Sequence, residues 1–313
     1  VAEKMNIVQH LSQLVGNTPM YEITAYDLPK DVRLFAKLEF QSIGGSIKDR
    51  LGFYLIQKAM EKGKLQQGDT VIEPTAGNTG IGLALAAIQF KLHAVFVTPE
   101  KFSQEKQALM RALGAEVINT PTGLGMTYAI EKAKQLASEN PRAYLPNQFH
   151  NEDNPNTYYD TLGPEIWADL DGKVDVFIAG AGSGGTFTGT ARYLKEQYPQ
   201  VKTVIVEPQG SILNGGHPGS HKTEGIGMEV LPVFMDRSLF DAIYTITDER
   251  AFARLAEIAK YEGLLVGSSS GAALEAALRE AELAEPGSNI VTIFPDSSER
   301  YLSTGIYEGA DWT

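Results

Sequence analysis

Short runs of β-branched and aromatic residues alternate with longer amphipathic stretches along almost the whole chain, and this alternation restricts the fold more than any other feature. The runs at 34–38, 70–73, 94–97, 116–118, 174–179, 203–207 and 290–294 read as strands. The stretches 47–62, 78–90, 104–113, 125–139, 184–198, 249–262 and 272–284 carry helical apolar spacing. Strands separated by helices pair in parallel, because a parallel neighbour is reached only by a crossover. The expectation is an α/β protein built on mostly parallel, twisted sheets flanked by helices. A chain of 313 residues has the length for two domains. A boundary is expected over 146–155, where Asn147, Asn151, Asp153 and Asn154 break the periodicity. The segment 208–236 holds six glycines and two histidines and shows neither period, as functional loops often do.

Composition removes several classes of function. Lys and Arg number 27 against 39 Asp and Glu, a net charge of −12, so the chain lacks the positive field that phosphate backbones require. The most apolar stretches, 81–88 and 174–179, fall far short of the roughly 20 residues that span a bilayer. The first residues, Val1-Ala2-Glu3-Lys4-Met5-Asn6, carry no basic segment followed by an apolar run, so no signal peptide is expected. With no cysteine there are no disulfides, thiolate nucleophiles or zinc–thiolate sites, and a reduced, cytoplasmic setting is expected.

Three glycine-rich turns open predicted helices: Thr75-Ala76-Gly77-Asn78-Thr79-Gly80, Gly180-Ala181-Gly182-Ser183-Gly184-Gly185-Thr186 and Gly267-Ser268-Ser269-Ser270-Gly271. A helix start offers backbone N–H groups without intrahelical acceptors and a partial positive charge, which suits phosphate or carboxylate. Any one of them can be a tight turn and nothing more. Together, with the first two at the carboxyl ends of predicted strands, they point to a small anionic ligand. The second turn is also a formal GxGxxG, Gly180 to Gly185, with Glu207 closing the next strand. That spacing matches a dinucleotide fingerprint, so a nicotinamide-dependent oxidoreductase is a contender on spacing alone. Lys48, in Gly44-Gly45-Ser46-Ile47-Lys48-Asp49-Arg50, stands at a predicted helix start, where a cation is disfavoured and a neutral, nucleophilic amine is favoured. On this residue alone, an exposed surface lysine is the favoured reading.

These motifs occur in one order together with Gly16-Asn17-Thr18-Pro19, Glu224-Gly225-Ile226-Gly227 and Phe294-Pro295-Asp296, and as a set they resemble the cysteine synthase and cystathionine β-synthase family. That family belongs to the tryptophan-synthase-β-like, type II pyridoxal-phosphate enzymes. Within it, the stretches 211–227 and Ser297-Ser298-Glu299-Arg300-Tyr301 look like the small bacterial enzymes that make cystathionine from O-acetylserine and homocysteine. The resemblance implies an N-terminal segment, 1–42, crossing to the larger domain. It further implies a smaller domain over 43–150 and a larger one over 151–313.

The same resemblance makes Lys48 the lysine that holds pyridoxal 5′-phosphate as a Schiff base, and later the general base. Gly182, Ser183, Gly184, Gly185 and Thr186 become the phosphate cup. Asn78 is implied to meet the ring hydroxyl and Ser269 the pyridine nitrogen, a neutral partner that suits β-elimination over deeper carbanion chemistry. Thr75, Ala76, Gly77, Asn78 and Thr79, with Gln148, are implied to clamp the α-carboxylate. Ala76 stands where the family usually has Ser, which removes one hydroxyl. Gly225 and Glu229 are assigned to the substrate side, Glu229 as a partner for the homocysteine ammonium, although a solvated loop charge explains it as simply. The implied activity is β-replacement yielding cystathionine, with cysteine formation from sulfide as a second activity, in a homodimer without nucleic-acid or membrane partners. A dedicated cysteine synthase is the alternative, and an idle relative that only binds partners is disfavoured by the intact motifs. A bare catalytic core, without an appended regulatory or haem domain, is expected.

Other signals rank lower. The His217–His221 spacing suits metal ligation only on a helix, which Pro218 and Gly219 oppose, so no metal site is expected. No nucleophile elbow follows a predicted strand. Trp167 and Trp312 read as packing residues.

Overall fold

The computed structural model describes residues 7–29 and 31–308; Trp312 and residues 1–6 lie outside them. In chain order the elements are β1 (Met20–Ile23), β2 (Arg33–Leu38), α1 (Lys48–Glu61), β3 (Thr70–Pro74), α2 (Asn78–Phe90), β4 (His93–Pro99), α3 (Gln104–Ala112) and β5 (Glu116–Thr120). There follow α4 (Gly125–Glu139), β6 (Ala143–Tyr144), α5 (Asp153–Asp160), α6 (Leu162–Asp169), β7 (Val176–Gly180), α7 (Gly185–Gln197), β8 (Lys202–Pro208), β9 (Ala242–Ile246), α8 (Asp248–Glu262), α9 (Ser268–Leu283) and β10 (Asn289–Phe294). The described residues divide into two units, 7–17 with 42–147, and 18–29 and 31–41 with 148–308.

In the smaller unit four parallel strands lie in the order β5-β4-β3-β6. The chain runs outward from β3 to β5 and then returns to the other side of β3, so the strand order reverses at β3. Its helices bury Phe53, Ile56, Ile81, Leu83 and Met110 against β3 and β4. On the opposite face Ala129 and Ala133 of α4 pack on Ile72 and Val97. Two faces covered by helices explain why these strands read as short apolar runs without alternation.

The larger unit carries six strands in the order β1-β2-β10-β7-β8-β9, all parallel except the edge strand β1, which runs antiparallel to β2. Here β7, β8 and β9 step outward and β10 returns to the other side of β7, so the reversal falls at β7. The central strands bury Val176, Ile178, Val204, Val206, Ile290 and Phe294 at 6% exposure or less. The α/β class, with two mostly parallel sheets flanked by helices, is the one the alternation implied.

Five elements were not legible in the periodicity: β1, β6, β9, α5 and α6. The first three are short or form sheet edges. Of the other two, α5 begins where turn residues signalled a break, and the structure turns that signal into a helix start; α6 follows it directly at Leu162. Asn151 Oδ1 accepts from the Asp153 N–H at 3.0 Å, and Pro155 occupies the first turn of α5, where a missing N–H costs nothing.

Candidate active site

Lys48 is the first residue of α1, half-buried, its N–H donating to Ser46 Oγ at 3.2 Å. The preceding loop is drawn tight: Gly44 N donates to Asp49 Oδ2 at 2.7 Å and Gly45 N to Ser42 O at 2.8 Å. What places Lys48 is a glycine contact between α1 and α2. A Cβ on Gly82 would overlap the Lys48 carbonyl oxygen and lie 2.8 Å from the carbonyl carbon, and one on Gly52 would lie 2.6 Å from Leu83 N. Only glycine lets the two backbones meet this closely. The start of α1 therefore rests on α2 one turn beyond the 75–79 loop.

That loop leaves the carboxyl end of β3, the strand at which the order reverses, and such a switch point is where open α/β sheets bind ligands. Thr75 N donates to Val97 O at 3.1 Å, and Thr75 Oγ1 accepts from Gly77 N at 3.2 Å, which curls the loop over the start of α2. Gly77 caps α2 with no side-chain hydrogen bond, and a Cβ there would meet nothing within 4 Å. Lys48, Thr75, Ala76, Gly77, Asn78 and Thr79 thus gather at one edge of the smaller unit.

In the larger unit the 181–184 turn leaves β7, again the reversal strand, and opens α7. Gly184 caps the helix at φ 82°, a left-handed conformation that favours glycine, and no side chain caps it. The first-turn N–H groups have no intrahelical acceptor, and the Ser183 and Thr186 hydroxyls stand beside them. Phe187 holds the helix start in place, buried between Phe177 (6.3 Å between centroids) and Phe240 (5.4 Å). Against this turn runs 225–227. Gly227 N donates to Ala181 O at 2.8 Å, and a Cβ on Gly182 would lie 3.2 Å from the Gly225 carbonyl carbon. A Cβ on Gly225 would in turn sit 3.8 Å from Ser269 Oγ.

Ser269 lies buried in the first turn of α9, whose cap, Gly267, is packed against Asp296 and Tyr301. The Tyr301 hydroxyl donates to Asp296 Oδ2; burial first, and the neighbouring Asp296 carboxylate second, push its phenol well above the usual range, so it stays protonated. Gln148 is also buried, and its carbonyl accepts from Asn154 Nδ2 at 2.7 Å. Gly182, Ser183, Gly184, Gly185, Thr186, Gly225, Ser269 and Gln148 are thereby connected within this unit. Glu229 is exposed, two residues past Gly227, and is not drawn into that set.

Glu207 is not available to a ribose. It is 1% exposed, and its carboxylate accepts from Leu213 N at 2.8 Å, Asn214 N at 3.1 Å and Thr245 Oγ1 at 2.9 Å. The acid that completed the dinucleotide spacing instead pins one end of the 208–236 loop. Asp248 pins its middle, accepting from Lys222 N at 2.6 Å and Thr223 N at 2.8 Å. His221 Nδ1 donates to Thr223 O at 2.8 Å, and His217 is exposed. In the sequence Asn154 is only a break in periodicity, and nothing local signals its place between Gln148 and Ser183.

Residues 11–296 match the family model described as pyridoxal-phosphate dependent enzyme, and the chain belongs to that family. It is 59% identical, over 97% of its length and 99% of the relative's, to an O-acetylserine-dependent cystathionine β-synthase of Bacillus subtilis. The crystal structure of an O-acetylserine-dependent cystathionine β-synthase from Helicobacter pylori superposes with a TM-score of 0.92 at 54% identity, covering 97% of this chain and all of that one. A cysteine synthase structure from Entamoeba histolytica gives 0.95 at 36% identity, covering all of this chain and 95% of that one. The protein is a pyridoxal-phosphate-dependent enzyme with the type II architecture. No helix among the described residues is long and apolar enough to cross a membrane.

Proposed function

We propose that the enzyme catalyses β-replacement, joining O-acetylserine, or serine, to homocysteine to give cystathionine, with cysteine formation from O-acetylserine and sulfide as a second activity. The observation that carries this reading is the lysine-bearing start of α1 seated on α2 beside the open 75–79 loop. It puts the lysine-bearing helix start and the loop we read as the carboxylate site in one unit.

The residues fit the cofactor. The bare N-terminus of α7 and the hydroxyls of Ser183 and Thr186 suit its phosphate, with Gly182, Gly184 and Gly185 leaving room for close approach. Lys48 suits its aldehyde carbon, Asn78 its ring hydroxyl and Ser269 its pyridine nitrogen. Pyridoxal phosphate, when bound, supplies the electron sink that acidifies the Cα proton of an amino acid joined to it.

The amides of the 75–79 loop hold the substrate α-carboxylate, with Ala76 contributing its backbone and no hydroxyl; the resemblance, not a contact, adds Gln148 to this role. Lys48 Nζ takes the Cα proton as general base while the leaving group departs from Cβ. Acetate leaves without a proton and hydroxide needs one, which favours O-acetylserine. The thiol gives up its proton to solvent as its sulfur bonds to Cβ, and Lys48 returns the proton it took to Cα. Glu229, exposed at the end of Gly225-Ile226-Gly227-Met228, pairs with the homocysteine ammonium. The absence of cysteine from all 313 residues suits a reducing cytoplasm, and the resemblance supports a homodimer.

The test is a steady-state comparison of homocysteine and sulfide, each with O-acetylserine and with serine, with products separated by mass. Cystathionine from O-acetylserine and homocysteine is expected, with cysteine from sulfide beside it. Cysteine alone, with no cystathionine from either donor, assigns the chain to the dedicated cysteine synthases.

A further inference from the structure

Asn154 takes no part in the reaction above, yet it is fully buried and ties three pieces of the larger unit together. It sits in the first turn of α5, its backbone N–H donating to Asn151 O at 2.9 Å. Its side-chain amide uses both protons of one nitrogen: Nδ2 donates to Gln148 O at 2.7 Å and to Ser183 Oγ at 3.1 Å. The flipped amide would set Oδ1 against the Gln148 carbonyl, acceptor against acceptor, so the orientation is determined by its neighbours.

Two consequences follow for the turn that opens α7. Because Ser183 Oγ accepts from Asn154, the Ser183 hydroxyl proton is left to donate elsewhere. Beside the positive end of a helix, the group that takes it is an anion. The second concerns Oδ1, which is buried without a hydrogen-bond partner. The amide rests directly on Gly185, where a Cβ would lie 2.5 Å from Asn154 Cγ. A buried acceptor without a donor is costly, and such a cost marks a place where geometry serves another purpose.

We infer that Asn154 is a positioning residue for the phosphate turn: it orients the Ser183 hydroxyl as a donor to the cofactor phosphate and holds Gly185 in register with it. This rests on the reading of 182–186 as the phosphate site. Asn154 touches neither substrate nor reacting atoms; it acts through Ser183.

The experiment titrates apo-enzyme with pyridoxal phosphate, and separately with pyridoxal, which lacks the phosphate. Wild type, Ser183→Ala, Asn154→Ala and the double variant are compared by visible absorbance. Asn154→Ala is expected to raise the pyridoxal phosphate Kd about tenfold, the scale of one hydrogen bond to a charged group, and to leave pyridoxal binding unchanged. The double variant is expected to be no worse than the more damaging single one, because both remove the same donor. Equal losses for the two ligands, or additive losses in the double variant, would reduce Asn154 to a structural tie and overturn the inference. If Ser183→Ala also binds pyridoxal phosphate as wild type does, the phosphate-site reading falls with it. Should Asn154→Ala not fold, Asn154→Asp has nearly the same shape without the two donors, and its loss for pyridoxal phosphate is expected to exceed tenfold.

Discussion

Replacing Gly82 by Ala probes the contact that seats Lys48. In an exposed helix interior this change is favourable by about 1 kcal/mol, the difference in helix propensity. Here the new methyl would overlap the Lys48 carbonyl oxygen and stand 2.8 Å from its carbon and 3.2 Å from Asp49 Cα. Carbon atoms in contact prefer about 3.5–4.0 Å, so the backbones of α1 and α2 must part by about 1 Å. No flexible side chain can swing aside, because every one of these atoms is backbone. Overpacking of this kind costs about 1–3 kcal/mol, and the rigid neighbours put Gly82→Ala at the upper end, leaving a net loss of about 2 kcal/mol after the propensity gain. For a domain of this size that lowers Tm by about 5–10 °C. Thermal melts followed by circular dichroism measure it, with Gly77→Ala as the control. A methyl at Gly77 meets nothing within 4 Å, so that variant should keep its Tm while its KM for O-acetylserine rises. Displacing Lys48 should also lower kcat in Gly82→Ala. A Gly82→Ala protein more stable than wild type by about 1 kcal/mol would show that propensity alone governs the site, and would refute the close-contact account of Lys48.

Three further outcomes are expected. Lys48→Ala should lower turnover by about three orders of magnitude or more, the scale of a lost general base, and near-normal kcat would exclude Lys48 from the reaction. Glu229→Ala should raise the homocysteine KM by no more than about fivefold and leave sulfide kinetics alone, since an exposed ion pair is worth about 0.2–1 kcal/mol; an unchanged homocysteine KM removes its assigned role. Glu275, 3% exposed between α8 and α9, accepts from Arg254 Nε at 2.8 Å and Arg279 Nε at 2.9 Å. Burial pushes its carboxyl up, but these bonds outweigh burial and hold it below its usual value. A carboxyl lowered on folding stabilises the protein above its unfolded pKa of about 4.3, and that stability drains away as pH falls through the folded value. The Tm deficit of Glu275→Gln should therefore be constant at neutral pH and shrink on acidification below about 4; a deficit independent of pH would sink the assignment.

Much of this site could be read along the chain because its parts are local. A glycine-rich turn after an apolar run declares a helix start within a handful of residues, so the turns at 75–79 and 181–184 and the position of Lys48 at a helix start were visible. The α/β class follows from the same kind of signal. Its weakness is equally local. The 151–155 stretch looked like a break because Asn, Asp and Pro serve turns and helix starts alike, and only the packing of α5 on α7 settles which.

Strand order, by contrast, depends on pairings between residues far apart. No period within residues 70–144 says that β6 returns beside β3, and none within 176–294 says that β10 returns beside β7, yet those returns place both glycine-rich turns at reversal points. Buried polar partners are likewise a matter of tertiary structure. Glu207 had the spacing of a ribose-binding acid, and the fold spends it on the amides of Leu213 and Asn214. Asn154 carried no motif, and the fold sets it between Gln148 and Ser183. The sequence by itself determined the alternation, the turns and the lysine at a helix start, because backbone propensity and periodicity act over a few residues. The tertiary structure alone decided which buried acceptor meets which donor, because a hydrogen bond made across dozens of residues leaves no pattern near either end.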